Sequence, residues 1–166
     1  MIDTLLPQEI AELAERVIAE NSKIGRKIAL AESCTGGLVA AALTEVAGSS
    51  AVLDRGFVTY SNAAKMESLG VASDIIETFG AVSIACVWAM SEGALKNSSA
   101  DISVAISGVA GPEGGTTLKP VGTVVFARSI RGNDGEPEGE LKQFGDLSRA
   151  EIRRQAVLCA LELLLP

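Results

Sequence analysis

The sequence contains no histidine among its 166 residues. This absence excludes the Ser-His-Asp and Cys-His classes of hydrolase, and it excludes every metal site that needs a histidine ligand. A hydrolase built on this chain must therefore take its general base from lysine, tyrosine, aspartate or glutamate. We predict neither a metal ion nor another cofactor.

Cysteine and basic residues are also scarce. Cys34, Cys86 and Cys159 are widely spaced and form no C-x-x-C pair, which argues against a disulfide framework or a zinc site and favours a reducing cytoplasm. The 14 basic residues face 21 acidic ones, so the formal net charge is −7. Sequence-independent binding to nucleic acid requires a basic surface, so we expect no nucleic-acid partner.

Long apolar runs are missing as well. No run approaches the roughly 20 residues of a membrane span, and the acidic, amphipathic start of the chain does not resemble a signal peptide. We therefore expect no membrane partner. The composition is that of a globular protein, with 48% hydrophobic and 21% charged residues, and the length suits a single domain over residues 1–166.

Hydrophobic periodicity and turn residues predict alternating helices and strands. Helices are expected over residues 6–17, 38–48, 62–70 and 84–95, with a further turn at 74–79 and a last helix that begins after Ser148. Strands are expected over residues 27–31, 55–61, 101–110, 121–130 and 139–146. This order predicts an α/β fold, a three-layer α/β/α sandwich whose mixed sheet is partly parallel and has an antiparallel edge.

Two strands of the predicted sheet run into loops with candidate chemistry. Strand 27–31 leads into ESCTGG, and strand 101–107 leads into SGVAGPEGG. If these strands are parallel neighbours, both loops open into one cleft, because ligands bind at the carboxyl ends of strands in open α/β sheets. The glycines of the second loop would let backbone N–H groups converge on an anion, although a flexible surface loop has the same composition.

A third segment, TYSNAAK, gives the first loop a chemical interpretation. Alone, ESCTGG is typical of a helix cap formed by Ser33 or Thr35. TYSNAAK places Tyr60 at a strand end and Lys65 one turn into the next helix. A desolvated lysine can lose its proton near neutral pH and activate a serine. A set built on Cys34, Glu32 and Lys65 is the alternative. In the non-catalytic interpretation, Lys65 is a solvated helix charge and Tyr60 an interface aromatic.

Long segments of the chain resemble the CinA C-terminal domain family. They are AESCTGGLVAAALTEVAGSS, RGFVTYSNAAK, GAVS, ISGVAGPEGGTTLKPVGTV and the closing RRQA. The resemblance covers roughly residues 6–165. It implies an α/β sandwich that hydrolyses the carboxamide of nicotinamide mononucleotide, giving ammonia and nicotinic acid mononucleotide for NAD salvage. Family proteins often carry a preceding pyrophosphatase-type domain, whose activity these segments do not imply.

The resemblance also assigns roles to individual residues. It implies Ser33 as the nucleophile, Lys65 as its base and Tyr60 as an assisting residue, with Ser50 as the alternative nucleophile. It implies these contacts to a pyridine nucleotide substrate: Thr35, Gly36, Gly37, Ser50, Ser107, Gly108, Gly111, Gly114, Gly115, and Arg153 or Arg154 at the phosphate. A non-catalytic nucleotide-binding module and an amidase for another amide remain the alternatives, and the apolar terminal helices would suit a homo-oligomer.

Overall fold

The computed structural model describes every residue from Met1 to Pro166, and all the predicted elements are present. The helices are α1 (Gln8–Lys23), α2 (Leu38–Thr44), α3 (Asn62–Leu69), α4 (Ser73–Phe79), α5 (Ile84–Lys96) and α6 (Arg149–Leu163), with a 3-10 helix at Ser49–Ala51. The strands are β1 (Ile28–Glu32), β2 (Leu53–Val58), β3 (Ile102–Gly108), β4 (Thr123–Ile130) and β5 (Glu138–Gln143). None of the helices combines the length and apolar character that crossing a bilayer requires.

The five strands form one mixed sheet in the order β2-β1-β3-β4-β5. β1 pairs in parallel with both β2 and β3, whereas β4 is antiparallel to its two neighbours. The expectation that the first and third strands are parallel neighbours is confirmed, with Glu32 opposite Ile106 at their carboxyl ends. The loops that follow β1 and β3 therefore leave the sheet at the same edge.

The two faces of the sheet carry different side chains. On one face, large residues such as Ile28 and Leu30 pack against α1, α2 and α6. On the other face, the alternate positions Ala29 and Ala31 pack against α3 and α5. Because successive side chains of a strand point to opposite faces, this alternation confirms the predicted three-layer α/β/α sandwich.

Several of the predicted element bounds are wrong; the first helix, expected over residues 6–17, covers Gln8–Lys23, and the last strand, expected to reach residue 146, ends at Gln143. α2 was expected to reach residue 48 but ends at Thr44, and the chain then turns at Gly48, whose φ of 86° favours glycine, into the 3-10 helix. The strand expected over residues 55–61 covers Leu53–Val58 instead. Tyr60 therefore lies two positions beyond its strand, in the connection to α3.

Candidate active site

A cavity of about 320 Å³ lies at the carboxyl ends of β1 and β3. Four segments form most of its wall: the turn that follows β1, the start of α3, the loop after β3, and Arg149 at the beginning of α6. These segments include both loops that the sequence placed in one cleft. Ser33, Lys65 and Tyr60 all line this cavity.

The Lys65 side chain is almost completely buried, with 1% of the residue exposed. Its Nζ lies 2.9 Å from the Ser33 Oγ, 2.9 Å from the Thr59 carbonyl oxygen and 3.2 Å from the Tyr60 carbonyl oxygen. No carboxylate forms an ion pair with it. Burial lowers the pKa of Lys65 below its ordinary value, while the Cys86 and Cys34 thiols act in the opposite direction.

Local structure explains why Lys65 points inward. The Ser61 hydroxyl caps α3 by accepting a hydrogen bond from the Ala64 N–H, as its sequence position indicates. Lys65 and Leu69, one turn apart, form the buried side of this short helix. The Thr59 N–H donates to the Glu32 carbonyl oxygen at 2.8 Å, so the acceptors around Lys65 are tied to the end of β1.

Glu32 supports the turn that carries Ser33. Its buried carboxylate accepts hydrogen bonds from the Thr35 hydroxyl at 2.6 Å and from the N–H groups of Gly37, Val39 and Ala40 at 3.0–3.2 Å. A carboxylate at a helix amino terminus is stabilised by the free N–H groups and the helix dipole. Glu32, and not Ser33 or Thr35, therefore accepts the hydrogen bonds from the free N–H groups at the start of α2. The Ser33 hydroxyl remains available to contact Lys65.

Cys34 lies beside Ser33 but in a different environment. Burial raises the pKa of its thiol to about 11, so the thiol stays protonated near neutral pH. The Lys65 amine is hydrogen-bonded to the Ser33 hydroxyl and to two carbonyl groups, and Glu32 is committed to α2. The geometry therefore does not assemble the alternative set of Cys34, Glu32 and Lys65.

Arg149 is a cavity residue that sequence reasoning missed. Its Nη1 donates to the Gly111 carbonyl oxygen at 2.7 Å and its Nη2 to the Tyr60 hydroxyl at 3.2 Å. It thus joins the glycine loop to Tyr60, which is 61% exposed. A signal was present in the sequence, because Arg149 lies one helical turn before Arg153 and directly follows the Ser148 cap.

The glycine loop borders the cavity and contains backbone donors without partners. Ser107, Gly108, Gly111 and Gly114 line the wall. Five N–H groups of the loop have no hydrogen-bond partner in the chain, those of Ala110, Gly111, Glu113, Gly114 and Gly115. Gly115 itself does not line the cavity. A Cβ there would lie 2.8 Å from the Val121 nitrogen, so this glycine allows close backbone packing.

Ser50 is not part of this site. It is exposed, in the 3-10 helix that precedes β2. Because β1 and β2 are parallel, a residue before β2 lies at the sheet edge opposite to Ser33, which follows β1. The structure thus corrects the expectation that Ser50 contacts the substrate or acts as the alternative nucleophile.

Arg153 and Arg154 do not line the cavity either. Arg154 points to the surface, where it forms ion pairs with Glu9 and Glu151. Arg153 donates from Nε to the Cys34 carbonyl oxygen at 3.0 Å, and its Nη2 lies 3.4 Å from the Thr35 carbonyl oxygen. The expected contact of either arginine with a phosphate is therefore corrected, since Arg149 is the arginine that faces the cavity.

Thr35, Gly36 and Gly37 shape the turn and do not line the cavity wall. Gly36 and Gly37 have φ values of 59° and 101°, a region that favours glycine. The Thr35 side chain is committed to Glu32. Nowhere in the chain do three or more histidine, cysteine, aspartate or glutamate side chains converge as a metal site would require.

Known proteins are similar to this chain in sequence and in fold. The family model "CinA C-terminal domain" matches residues 10–166. The "Nicotinamide-nucleotide amidohydrolase PncC" of Escherichia coli strain K12 is 47% identical over 156 residues, which cover 94% of this chain and 93% of that protein. A "CinA-like protein" of Akkermansia muciniphila is 49% identical over 77% of this chain, a match that covers 31% of that longer protein.

Solved structures agree with these sequence matches. The crystal structure of the competence/damage inducible protein CihA from Agrobacterium tumefaciens has a TM-score of 0.93 and 49% identity, and the alignment covers 98% of this chain and 97% of that one. A CinA superfamily protein from Klebsiella pneumoniae has a TM-score of 0.88 and 42% identity, with 95% and 96% of the two chains covered. With Ser33, Lys65 and the glycine loop at one sheet edge, and with these matches over nearly its whole length, the chain belongs to the CinA C-terminal domain family.

Proposed function

We propose that this protein is a serine amidohydrolase that converts nicotinamide mononucleotide to nicotinic acid mononucleotide and ammonia, a step of NAD salvage. The names of its PncC relatives support the substrate class. One observation carries the mechanism: the Lys65 Nζ lies 2.9 Å from the Ser33 Oγ, is buried, and has no carboxylate partner.

The hydrogen bonds around Lys65 suit a neutral amine. A neutral amine has two N–H donors and one lone pair. The Thr59 and Tyr60 carbonyl oxygens accept two hydrogen bonds from Nζ, and the third neighbour is the Ser33 hydroxyl, which can donate as well as accept. The lone pair is then directed at the Ser33 proton, which is the arrangement that a general base requires.

The reaction begins when Ser33 attacks the carboxamide carbon and Lys65 takes the hydroxyl proton. The amide oxygen gains negative charge in the tetrahedral intermediate, which backbone N–H groups of the turn after Ser33 stabilise. Lys65 then gives its proton to the departing nitrogen, so the C–N bond breaks and ammonia leaves. Water repeats these steps on the acyl-enzyme, with Lys65 as base, and releases the carboxylic acid and free Ser33.

The phosphate of the nucleotide is bound by the glycine loop and Arg149. Ala110, Gly111, Glu113 and Gly114, whose N–H groups lack partners, line the same cavity as Ser33 and the guanidinium of Arg149. Charge-assisted hydrogen bonds contribute roughly 1.5–3 kcal/mol each, so two or three of them separate a mononucleotide from its riboside by several powers of ten. Binding energy from this remote group also orients the carboxamide, so kcat falls with affinity when the phosphate is removed.

Ammonia release from three amides tests this function. We expect a high kcat/KM for nicotinamide mononucleotide, a much lower value for nicotinamide riboside, and almost no release from free nicotinamide. Arg149→Ala should reduce the preference for the mononucleotide over the riboside, while the surface variant Arg154→Ala serves as the matched control. Equal rates on mononucleotide and riboside would refute the phosphate site. Release only from a different amide would refute the nucleotide substrate.

A further inference from the structure

A second cavity, of about 390 Å³, lies where α1 and α2 begin and along the first half of α6. None of the residues that line it lines the catalytic cavity. Its volume exceeds the 320 Å³ of the catalytic cavity and falls within the range of roughly 300–1,000 Å³ that small-molecule sites have. The protein therefore contains a separate space in which a small molecule can bind.

Part of the wall of this second cavity is apolar. Leu6, Ile10, Leu38 and Val157 contribute hydrocarbon side chains to it. Ile10 and Val157 belong to the buried core, whereas Leu6 and Leu38 pack against that core and stay half-buried. Removal of their remaining exposed surface from water would favour binding. This part of the wall suits the apolar body of a ligand.

The charged residues of the wall differ in whether their charges are paired. Glu151 accepts a hydrogen bond from the Gln155 side chain at 2.9 Å and forms an ion pair with Arg154 at 3.5 Å. Arg154 also forms an ion pair with Glu9. Arg153, in contrast, has no carboxylate within ion-pair distance. The charge of Arg153 is therefore the one in this wall that a ligand can neutralise.

The Arg153 guanidinium also retains hydrogen-bond donors for a ligand. Its Nε donates to the Cys34 carbonyl oxygen at 3.0 Å, and its Nη2 lies 3.4 Å from the Thr35 carbonyl oxygen. Its Nη1 has no hydrogen-bond partner in the chain. A guanidinium carries five N–H donors, and a carboxylate matches their planar geometry. The wall thus combines apolar surface with one cationic group that can bind a carboxylate.

We propose that the second cavity is a binding site for a small amphipathic anion, a molecule with an apolar body and one carboxylate. The apolar body packs against Leu6 and Leu38, and the carboxylate accepts hydrogen bonds from Arg153. An uncharged apolar molecule would leave the Arg153 charge unpaired, and an inorganic anion would leave the apolar wall exposed to water. This inference does not depend on the proposed amide hydrolysis, because it concerns residues that the reaction does not use.

Isothermal titration calorimetry with two matched probes tests the site. Naphthalene-2-carboxylate carries the anionic group, and 2-naphthalenemethanol has the same ring system with an uncharged hydroxymethyl group. We expect wild type to bind the carboxylate about tenfold to a hundredfold more tightly than the alcohol, since hydrogen bonds to charged groups are the stronger ones. Arg153→Gln should remove most of this preference and leave the affinity for the alcohol nearly unchanged.

Two further variants locate the probe. Arg149→Ala alters the catalytic cavity and should keep the wild-type preference for the carboxylate. Leu6→Asp adds a negative charge to the wall at a position before α1, so it should weaken binding of the carboxylate more than binding of the alcohol. If circular dichroism shows that Arg153→Gln does not fold, the change in preference in Leu6→Asp decides.

Three results would overturn the proposed site. They are an absence of carboxylate binding to wild type at millimolar concentration, equal affinity of wild type for the two probes, and loss of the preference in Arg149→Ala but not in Arg153→Gln. The third result would place the probe in the catalytic cavity. A wild type that binds the carboxylate as expected but releases ammonia from no amide would refute the proposed function and support this inference.

Discussion

The molecule contains two buried serine clusters that differ in their surroundings. At the carboxyl ends of the strands, the Ser33 hydroxyl contacts the Lys65 amine at 2.9 Å beside an open cavity. Between α5 and the sheet, the Ser91 and Ser129 hydroxyls lie 2.6 Å apart, and the Ser103 hydroxyl donates to the Ser91 carbonyl oxygen at 2.6 Å. The second cluster is as well buried as the first.

The two clusters differ in whether their charged and hydrogen-bonding groups all have partners within the protein. In the α5 cluster, Ser91 donates to the Trp88 carbonyl oxygen, so each hydroxyl proton has a protein acceptor, although Ser129 borders a separate cavity of about 250 Å³. Such a network fixes a helix against a sheet. In the Ser33 cluster, the buried Lys65 amine has no carboxylate partner and contacts the Ser33 hydroxyl at the cavity wall. Buried polar residues therefore indicate chemistry here only where charge and hydrogen-bonding capacity are left over for a ligand.

The largest effect should come from Ser33→Ala. Removal of the nucleophile from a set of residues that act together lowers turnover on the order of a thousandfold or more. Ser91→Ala, the matched variant in the other cluster, should keep wild-type kcat/KM, and Cys34→Ala should keep most of it. Steady-state ammonia release measures all three. An active Ser33→Ala with an inactive Cys34→Ala would show that the thiol attacks instead.

Lys65→Arg should be nearly as damaging as loss of the serine. Arginine keeps a positive charge but cannot give up its proton near neutral pH, so it cannot serve as the base. Circular dichroism should show a folded variant, and ammonia release should be close to background. Full activity in Lys65→Arg would contradict proton transfer by this residue.

The pH dependence of kcat/KM should follow the titration of Lys65. Only the neutral amine accepts the Ser33 proton, so activity should rise with pH and level off above the pKa of Lys65. Burial lowers that pKa, so the rise should occur below the ordinary lysine value of 10.5. A pH–rate profile from weakly acidic to alkaline conditions measures this, and activity that falls as pH rises through neutrality would point to another base.

Lys65 should also affect stability in the same pH range. Because its pKa is lower in the folded state, the unfolded chain binds the proton more strongly, and stability contributed by this group is lost as pH falls through the folded-state pKa. Lys65→Met removes that titration. The free energy of unfolding of Lys65→Met minus that of wild type should therefore grow as pH falls, which urea unfolding at several pH values can measure. A difference that does not vary with pH would contradict a buried, shifted lysine.

The smallest expected effect of a substitution is a modest loss of stability in Ser91→Ala. Ser91→Ala leaves the buried Ser129 hydroxyl without its partner, which should cost about 1–3 kcal/mol of unfolding free energy without changing kcat/KM.

Exhaustive chelation should leave turnover unchanged, since no set of three metal-ligating side chains converges. Activity that is lost with a chelator and restored by one divalent ion would contradict the Ser33 and Lys65 mechanism.

The sequence predicted the proximity of Ser33 and Lys65 but not the positions of the arginines, for a physical reason. Ser33 follows a buried parallel strand and Lys65 follows a serine cap, so strand direction and helix register carry both to one edge. The roles of Arg149, Arg153 and Arg154 depend on how α6 docks on the sheet, because residues one position apart point in different directions. No local sequence pattern indicates which of these three arginines faces the cavity. The assignment of Ser50 to the site was a different kind of error. Ser50 precedes β2, which is parallel to β1, so it lies at the edge of the sheet opposite to Ser33.

The most direct test of the central claim is the identity of the acylated residue during turnover. Wild-type protein is mixed with excess nicotinamide mononucleotide, quenched in acid and digested, and the peptides are analysed by mass spectrometry, with Ser33→Ala and Cys34→Ala treated in parallel. We predict a nicotinoyl nucleotide ester on Ser33 in wild type and in Cys34→Ala, and none in Ser33→Ala. A thioester on Cys34, or an adduct that persists in Ser33→Ala, would contradict the assignment of Ser33 as the nucleophile.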